Sequence, residues 1–157
     1  MLYVFMGPSC SGKSSAAKEL KKLTDVQIYT GKDYLRMAKN ESSAWGIFEE
    51  KLKEASRNKD LNSQSIVYII SEKKDISKLK LIDNAITINF TADAEIIKSR
   101  FAQRMNGVLP KPVENMIEKQ LTEWKDINAK LHVDTSNNNA KDIAQKVYDL
   151  ALMDKVN

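Results

Sequence analysis

Apolar positions in this chain follow two rhythms that take turns. Leu2-Tyr3-Val4-Phe5-Met6, Ile66-Val67-Tyr68-Ile69-Ile70 and Ala85-Ile86-Thr87-Ile88-Asn89-Phe90 are short runs with little or no polar alternation. A parallel strand covered on both faces reads this way. Val26-Gln27-Ile28-Tyr29 and Leu131-His132-Val133-Asp134-Thr135 are weaker runs of the same kind and predict two further strands.

Between the runs the spacing becomes helical. Residues 14–23 carry Ala16, Ala17, Leu20 and Leu23 on one face. Residues 41–56 carry Ala44, Trp45, Ile47, Phe48, Leu52 and Ala55, with Asn40 or Ser42 placed to cap them. Residues 75–81 predict a short helix. Residues 93–105 predict another, capped by Thr91, with Ile96, Ile97, Phe101 and Met105 on one face. Pro112 stands at a helix start. After it, Val113, Met116, Ile117, Leu121, Trp124, Ile127 and Leu131 form the longest amphipathic signal. A final helix is expected from Ala140, Ile143, Ala144, Val147, Leu150 and Ala151. Strands alternating with helices predict an α/β sheet of about five parallel strands, with helices on both faces.

Length and charge add bounds. The 157 residues read as one domain, 1–157. The net charge of +4 suits an anionic ligand, but lysines are mixed with acids along most of the chain. Charge alone therefore gives no reason to invoke nucleic acid. Cys10 is the only cysteine, which excludes intrachain disulfides and cysteine-cluster metal sites. No run approaches the roughly 18 apolar residues of a membrane span. The first strand has no basic lead-in, so no signal peptide is expected.

The first strand runs into Gly7-Pro8-Ser9-Cys10-Ser11-Gly12-Lys13-Ser14, which fits G-x-x-x-x-G-K-[ST] at every fixed position. Backbone N–H groups must come within hydrogen-bonding distance of a polyphosphate, and Gly7 and Gly12 allow the loop to bring them there. The following helix adds partial positive charge at its N-terminus. Lys13 can reach the terminal phosphates, and the Ser14 hydroxyl can ligate Mg²⁺. Candidate nucleotide-binding residues are therefore Gly7, Ser9, Cys10, Ser11, Gly12, Lys13, Ser14 and Ser15.

This stretch resembles the Walker A phosphate loop of P-loop NTPases. Gly-Pro-Ser before Ser-Gly-Lys-Ser-Ser is similar to the loop of small nucleotide kinases of the guanylate kinase group. The resemblance implies a P-loop kinase fold: a three-layer, doubly wound sheet with strand order 2-3-1-4-5. It also implies ATP or GTP with Mg²⁺, bound beyond the carboxyl ends of the strands.

Other segments extend the resemblance. Lys32-Asp33-Tyr34-Leu35-Arg36 is similar to the acceptor segment of polynucleotide 5′-hydroxyl kinases. There an Asp takes the acceptor proton and an Arg three residues on grips an acceptor phosphate; Asp33 and Arg36 match. An alternative is that Asp33 caps a helix and Arg36 faces water. Arg100 and Arg104 share a helix face and are similar to the R-x-x-x-R lid motif of nucleotide kinases. One such Arg approaches the γ-phosphoryl, and the other the adenine or phosphates. Residues 105–111 are too short for a large hinged lid. Ser71-Glu72 falls where many P-loop ATPases show Asp-Glu. Asp134-Thr135-Ser136 resembles the Asp-Thr-Ser of several P-loop kinases, whose following loop lies near the base. Two departures matter: the Thr-Arg-rich GMP segment of guanylate kinases and the Asp-Gly-aromatic-Pro-Arg signature of adenylate kinases are both missing.

The resemblance implies a Mg²⁺- and ATP-dependent phosphotransferase. Its acceptor would be a nucleotide, nucleoside, other small molecule or nucleic-acid 5′ end. Lys13, Asp33, Arg100 and Arg104 would be catalytic, and Asp33 and Arg36 would bind the acceptor. Two alternatives stay open: a nucleotide-hydrolysing switch, and an interaction module that keeps the loop without transfer. A free thiol and ATP use point to the cytoplasm.

Overall fold

The computed structural model describes residues 1–156. Five parallel strands, β1 (Leu2–Met6), β2 (Val26–Thr30), β3 (Ser65–Ile70), β4 (Ile86–Thr91) and β5 (Leu131–Asp134), form one sheet. Its order is β2-β3-β1-β4-β5, as the resemblance implied. Strand β1 is central, with Val4 opposite Tyr68 on one side and Thr87 on the other. That position explains its unbroken apolar run, because all five of its residues are buried.

Successive β1 side chains point to opposite faces and build two cores. Tyr3 and Phe5 join Ile88, Phe90 and the inner faces of α1 (Lys13–Leu23) and α5 (Ala140–Val156). Val4 and Met6 join Tyr68, Ile70 and the Phe48 and Leu52 face of α2 (Glu41–Arg57). A fully buried Phe or Leu contributes roughly 1.5–3 kcal/mol, so these two layers hold the strand ends in fixed register. The Asn40 side chain accepts from Ser43 N–H at 2.8 Å and starts α2. A smaller cluster of Cys10, Ala92, Ile97 and Ile117 lies under the pair α3 (Ala94–Arg104) and α4 (Lys111–Glu123).

Three expectations are corrected. The long amphipathic signal after Pro112 ends as helix at Glu123, not at Leu131. Trp124 is buried and its Nε1–H donates to the Ser71 carbonyl at 2.9 Å, which anchors the chain there. Ile127 then packs on the core from a loop, and Leu131 opens β5. Thr91 is the last residue of β4; Asp93 takes the cap position of α3, and Met105 is exposed. The short helix expected over 75–81 is a 3₁₀ turn over Lys73–Leu79. It starts when Asp75 N–H bonds the Glu72 carbonyl, and it leaves Leu81 in solvent.

Candidate functional site

The loop after β1 has the backbone that its sequence demands. Gly7 and Gly12 sit at φ +146° and +96°. A side chain at Gly7 would strike the Phe90 carbonyl oxygen, and one at Gly12 would lie 2.8 Å from Thr135 Cγ2. Both positions therefore exclude a Cβ sterically as well as conformationally. Cys10 also has positive φ, 61°, with its thiol buried. Burial pushes that thiol's pKa up, against the pull of Arg104, Lys13 and Arg100.

Lys13 folds back over the loop. Its Nζ donates to the Gly7 and Pro8 carbonyls, each at 2.6 Å, and lies 3.5 Å from Ser11 Oγ. The residue is only 4% exposed. Burial lowers its pKa to about 7; Cys10 opposes the shift and the Arg104 charge adds to it. A buried cation whose contacts are neutral carbonyls and a hydroxyl lacks a counter-charge, and a polyanion would supply one.

A cavity of about 160 Å³ opens beside Lys13. Ser9 lines it from the loop, Ser14 and Ser15 from the start of α1, Thr30 and Ser71 from the ends of β2 and β3, and Arg104 from α3. A neighbouring groove of about 530 Å³ shares Cys10, Gly12, Ser15 and Arg104 with it. That groove continues past Arg100, Gln103, Thr135 and Asn138 to the start of α5. Small cavity and groove together offer one basic, elongated trough along the carboxyl ends of the strands.

The two arginines differ in their work. The Arg100 guanidinium donates to the Cys10 carbonyl at 2.9 Å, to Thr135 Oγ1 at 3.0 Å and to the Thr135 carbonyl at 3.2 Å. It ties α3 to both the phosphate loop and the end of β5. Arg104, one turn on, is exposed and faces both the cavity and the groove. Thr135 is the hub of this tie, because its hydroxyl also donates to the Ser11 carbonyl at 2.9 Å. Lys98 joins α3 to α4 through Glu114 and Glu118 at 3.4 and 3.1 Å.

On the β2 side, Asp33 and Arg36 lie on a 3₁₀ turn, Asp33–Met37. Asp33 Oδ2 accepts from Thr30 N–H at 2.8 Å, and Oδ1 lies 3.5 Å from Arg36. Asp33 itself does not line the cavity and touches only its Thr30 wall, while the Arg36 side chain is 84% exposed. Glu72 does not line the small cavity and pairs with Lys74 at 2.9 Å. Gln120 carried no signal in the sequence, yet its Oε1 accepts from Ser9 N–H at 2.9 Å and brings α4 against the loop. Gln103 likewise carried no signal, whereas Asn138 and Asn139 belong to the loop after Asp134-Thr135-Ser136 that the resemblance placed near a base. Asn138 donates to the Asp134 carbonyl and Asn139 caps α5, so the Asn run shapes the groove's far end.

No protein-family model matches this chain, and no curated protein matches it by sequence. Solved structures do. Shikimate kinase from Acinetobacter baumannii in complex with shikimate superposes with a TM-score of 0.63 at 16% identity, covering 99% of this chain and 95% of that one. The YorR protein from Bacillus subtilis, in complex with phosphorylated GDP, gives 0.66 at 20% identity over 100% and 99%. A gluconokinase from Sinorhizobium meliloti gives 0.56 at 15% identity over 96% and 91%. The chain has the P-loop kinase fold; identities this low speak to fold and not to substrate.

Proposed function

We propose that residues 1–157 form one catalytic unit, a cytoplasmic phosphotransferase that moves a phosphoryl group from ATP or GTP to a small hydroxyl-bearing acceptor. One observation carries the reading. Lys13 from the loop and Arg104 from α3 line the same small cavity over a cradle that has no room for a Cβ. Phosphoryl transfer asks a protein chiefly for positioning and for positive charge over the moving group. The likeness to kinases of known substrate supports the same class.

The residues fit a triphosphate. The loop N–H groups and Lys13 would hold its terminal phosphates, and the groove toward Asn138 has space for a base. Ser14 would hold Mg²⁺ together with the triphosphate. Among the described residues no group of three or more His, Cys, Asp or Glu could hold a metal by itself. The metal's contribution, once bound, is to neutralise phosphate charge. Arg104 supplies the mobile charge, while Arg100 holds the loop and Thr135 in place. Asp33, fixed by Thr30 N–H, would orient the acceptor hydroxyl and take its proton, with Arg36 at the entrance. The switch reading has less support, because Glu72 does not line the small cavity and is paired with Lys74.

The test is ADP release in the presence of nucleosides, monophosphates, sugars, hydroxy acids and 5′-hydroxyl oligonucleotides. Acceptor-dependent release supports the transferase; release indifferent to every acceptor refutes it in favour of a hydrolase. Lys13→Ala should lower transfer by more than about a hundredfold, since one lost charge-stabilising donor removes roughly 10²–10³ in rate, while the fold survives.

A further inference from the structure

Asp33 and Arg36 stand beside Thr30, but the residues behind them spend their side chains on one another. Tyr34 is buried, stacks on Phe48 at a centroid distance of 5.6 Å and meets Trp45 edge-on at 5.2 Å. Lys78 closes over both Tyr34 and Trp45 at 5.4 and 5.5 Å and donates to Tyr34 Oη at 3.0 Å. An aromatic plug fills the space between α2 and the sheet.

The open space lies on the other side of the β3 end. A cavity of about 640 Å³ sits between the 3₁₀ turn Lys73–Leu79 and α4. That volume suits a small metabolite. Its walls set Lys73, Lys74 and Lys119 against Glu72 and Glu123, an excess of one positive charge, with Met116 among them. Two links join it to the phosphate cavity. Gln120 lines this space and bonds Ser9 N–H of the loop. Glu72 lines it, and its neighbour Ser71 lines the phosphate cavity.

The lysines are poorly neutralised. Lys73 has no ion-pair partner among the described residues. The Lys119–Glu123 contact is 3.9 Å, the outer edge of an ion pair. Lys74 alone holds a short pair, to Glu72. Loose exposed pairs of this kind contribute little and yield readily to a better anion.

We propose that this cavity is the acceptor site and that its occupant is an anionic alcohol. A carboxylate or phosphate would sit on Lys73 and Lys119, with its hydroxyl turned past Ser71 into the small cavity beside Lys13, where Asp33, held at the Thr30 wall, would take the proton. The proposal rests on the phosphotransferase reading and adds the substrate class.

The experiment titrates isotope-labelled protein, saturated with ADP, with matched pairs: gluconate and sorbitol, glycerol 3-phosphate and glycerol, AMP and adenosine. Amide shifts are followed in residues 72–77 and 116–123. At least one anionic member should shift both segments and bind at least tenfold tighter than its neutral partner. The pairs separate a carboxylate preference from a phosphate preference. Lys73→Glu combined with Lys119→Glu should weaken that anion by more than tenfold and leave ADP affinity unchanged, which also reports an intact fold. The proposal is overturned if no anion in the set shifts these segments, if neutral partners bind equally, or if the double variant binds as the parent does. ADP release is measured alongside. Anion binding without ADP release would sink the transferase reading and leave the site standing; transfer to an acceptor that ignores both lysines would do the reverse.

Discussion

Thr135→Val is the sharpest perturbation of the loop, because it changes one hydroxyl and almost no volume. The Thr135 hydroxyl has one proton to give, and the Ser11 carbonyl at 2.9 Å is a better acceptor than the Thr91 carbonyl at 3.3 Å. It also accepts from Arg100 at 3.0 Å. Valine keeps a methyl against Gly12 but leaves the carbonyl of buried Ser11 without this partner. An unsatisfied buried acceptor costs about 1–3 kcal/mol. Arg100 keeps its two carbonyl bonds, which limits further loss. In a chain of this length about 1 kcal/mol corresponds to ~2–4 °C in Tm, so a drop of about 2–12 °C is expected in a thermal scan. The hydroxyl braces the loop, so nucleotide affinity should also fall, by roughly tenfold if ~1.4 kcal/mol appears in binding. Thr135→Ser keeps the hydroxyl and should stay within about 2 °C of the parent. A valine variant with parental Tm and parental nucleotide affinity would refute the idea that Thr135 braces the loop.

Three further outcomes are expected. Burial disfavours the charge of Lys13 and lowers its pKa to about 7, and a bound polyphosphate should restore the charge. Above pH 7 binding must therefore take up a proton, so affinity should fall with rising pH by up to about tenfold per unit; calorimetry in buffers of different ionisation enthalpy should show the uptake, and none at pH 8 would disprove it. Arg104→Ala should cut the turnover number by roughly 10³ with little change in Tm, whereas Arg100→Ala should cost stability and nucleotide affinity, since it removes three bonds that join α3 to the loop and Thr135. Equal effects from the two variants would mean that their roles are not divided. Asp33→Asn should lower turnover about a hundredfold and leave ATP affinity nearly intact; an equal loss of ATP binding would move Asp33 to the donor side.

Much of the fold was legible because it is a local matter. Strand β1, the turn at Gly7 and the start of α1 are contiguous, and each residue type answers a demand of its own backbone. Alternating apolar periods were enough to name the five strands and five α-helices but not the two 3₁₀ turns; strand order rested on family likeness. What the periods could not carry was the end of α4. The apolar spacing runs on to Leu131, but helix geometry stops where buried Trp124 reaches the Ser71 carbonyl.

The chain alone thus determined a glycine-bracketed loop set between a buried strand and a helix, with two arginines spaced to share a face. Only the tertiary structure decided that Arg100 is a strut and Arg104 the exposed charge, because the strut's partners, Cys10 and Thr135, lie 90 and 35 residues away. Only the fold showed Gln120 on the loop, 111 residues from Ser9. Helical spacing says which side chains share a face; what that face meets is set by backbone carbonyls brought together when the sheet closes.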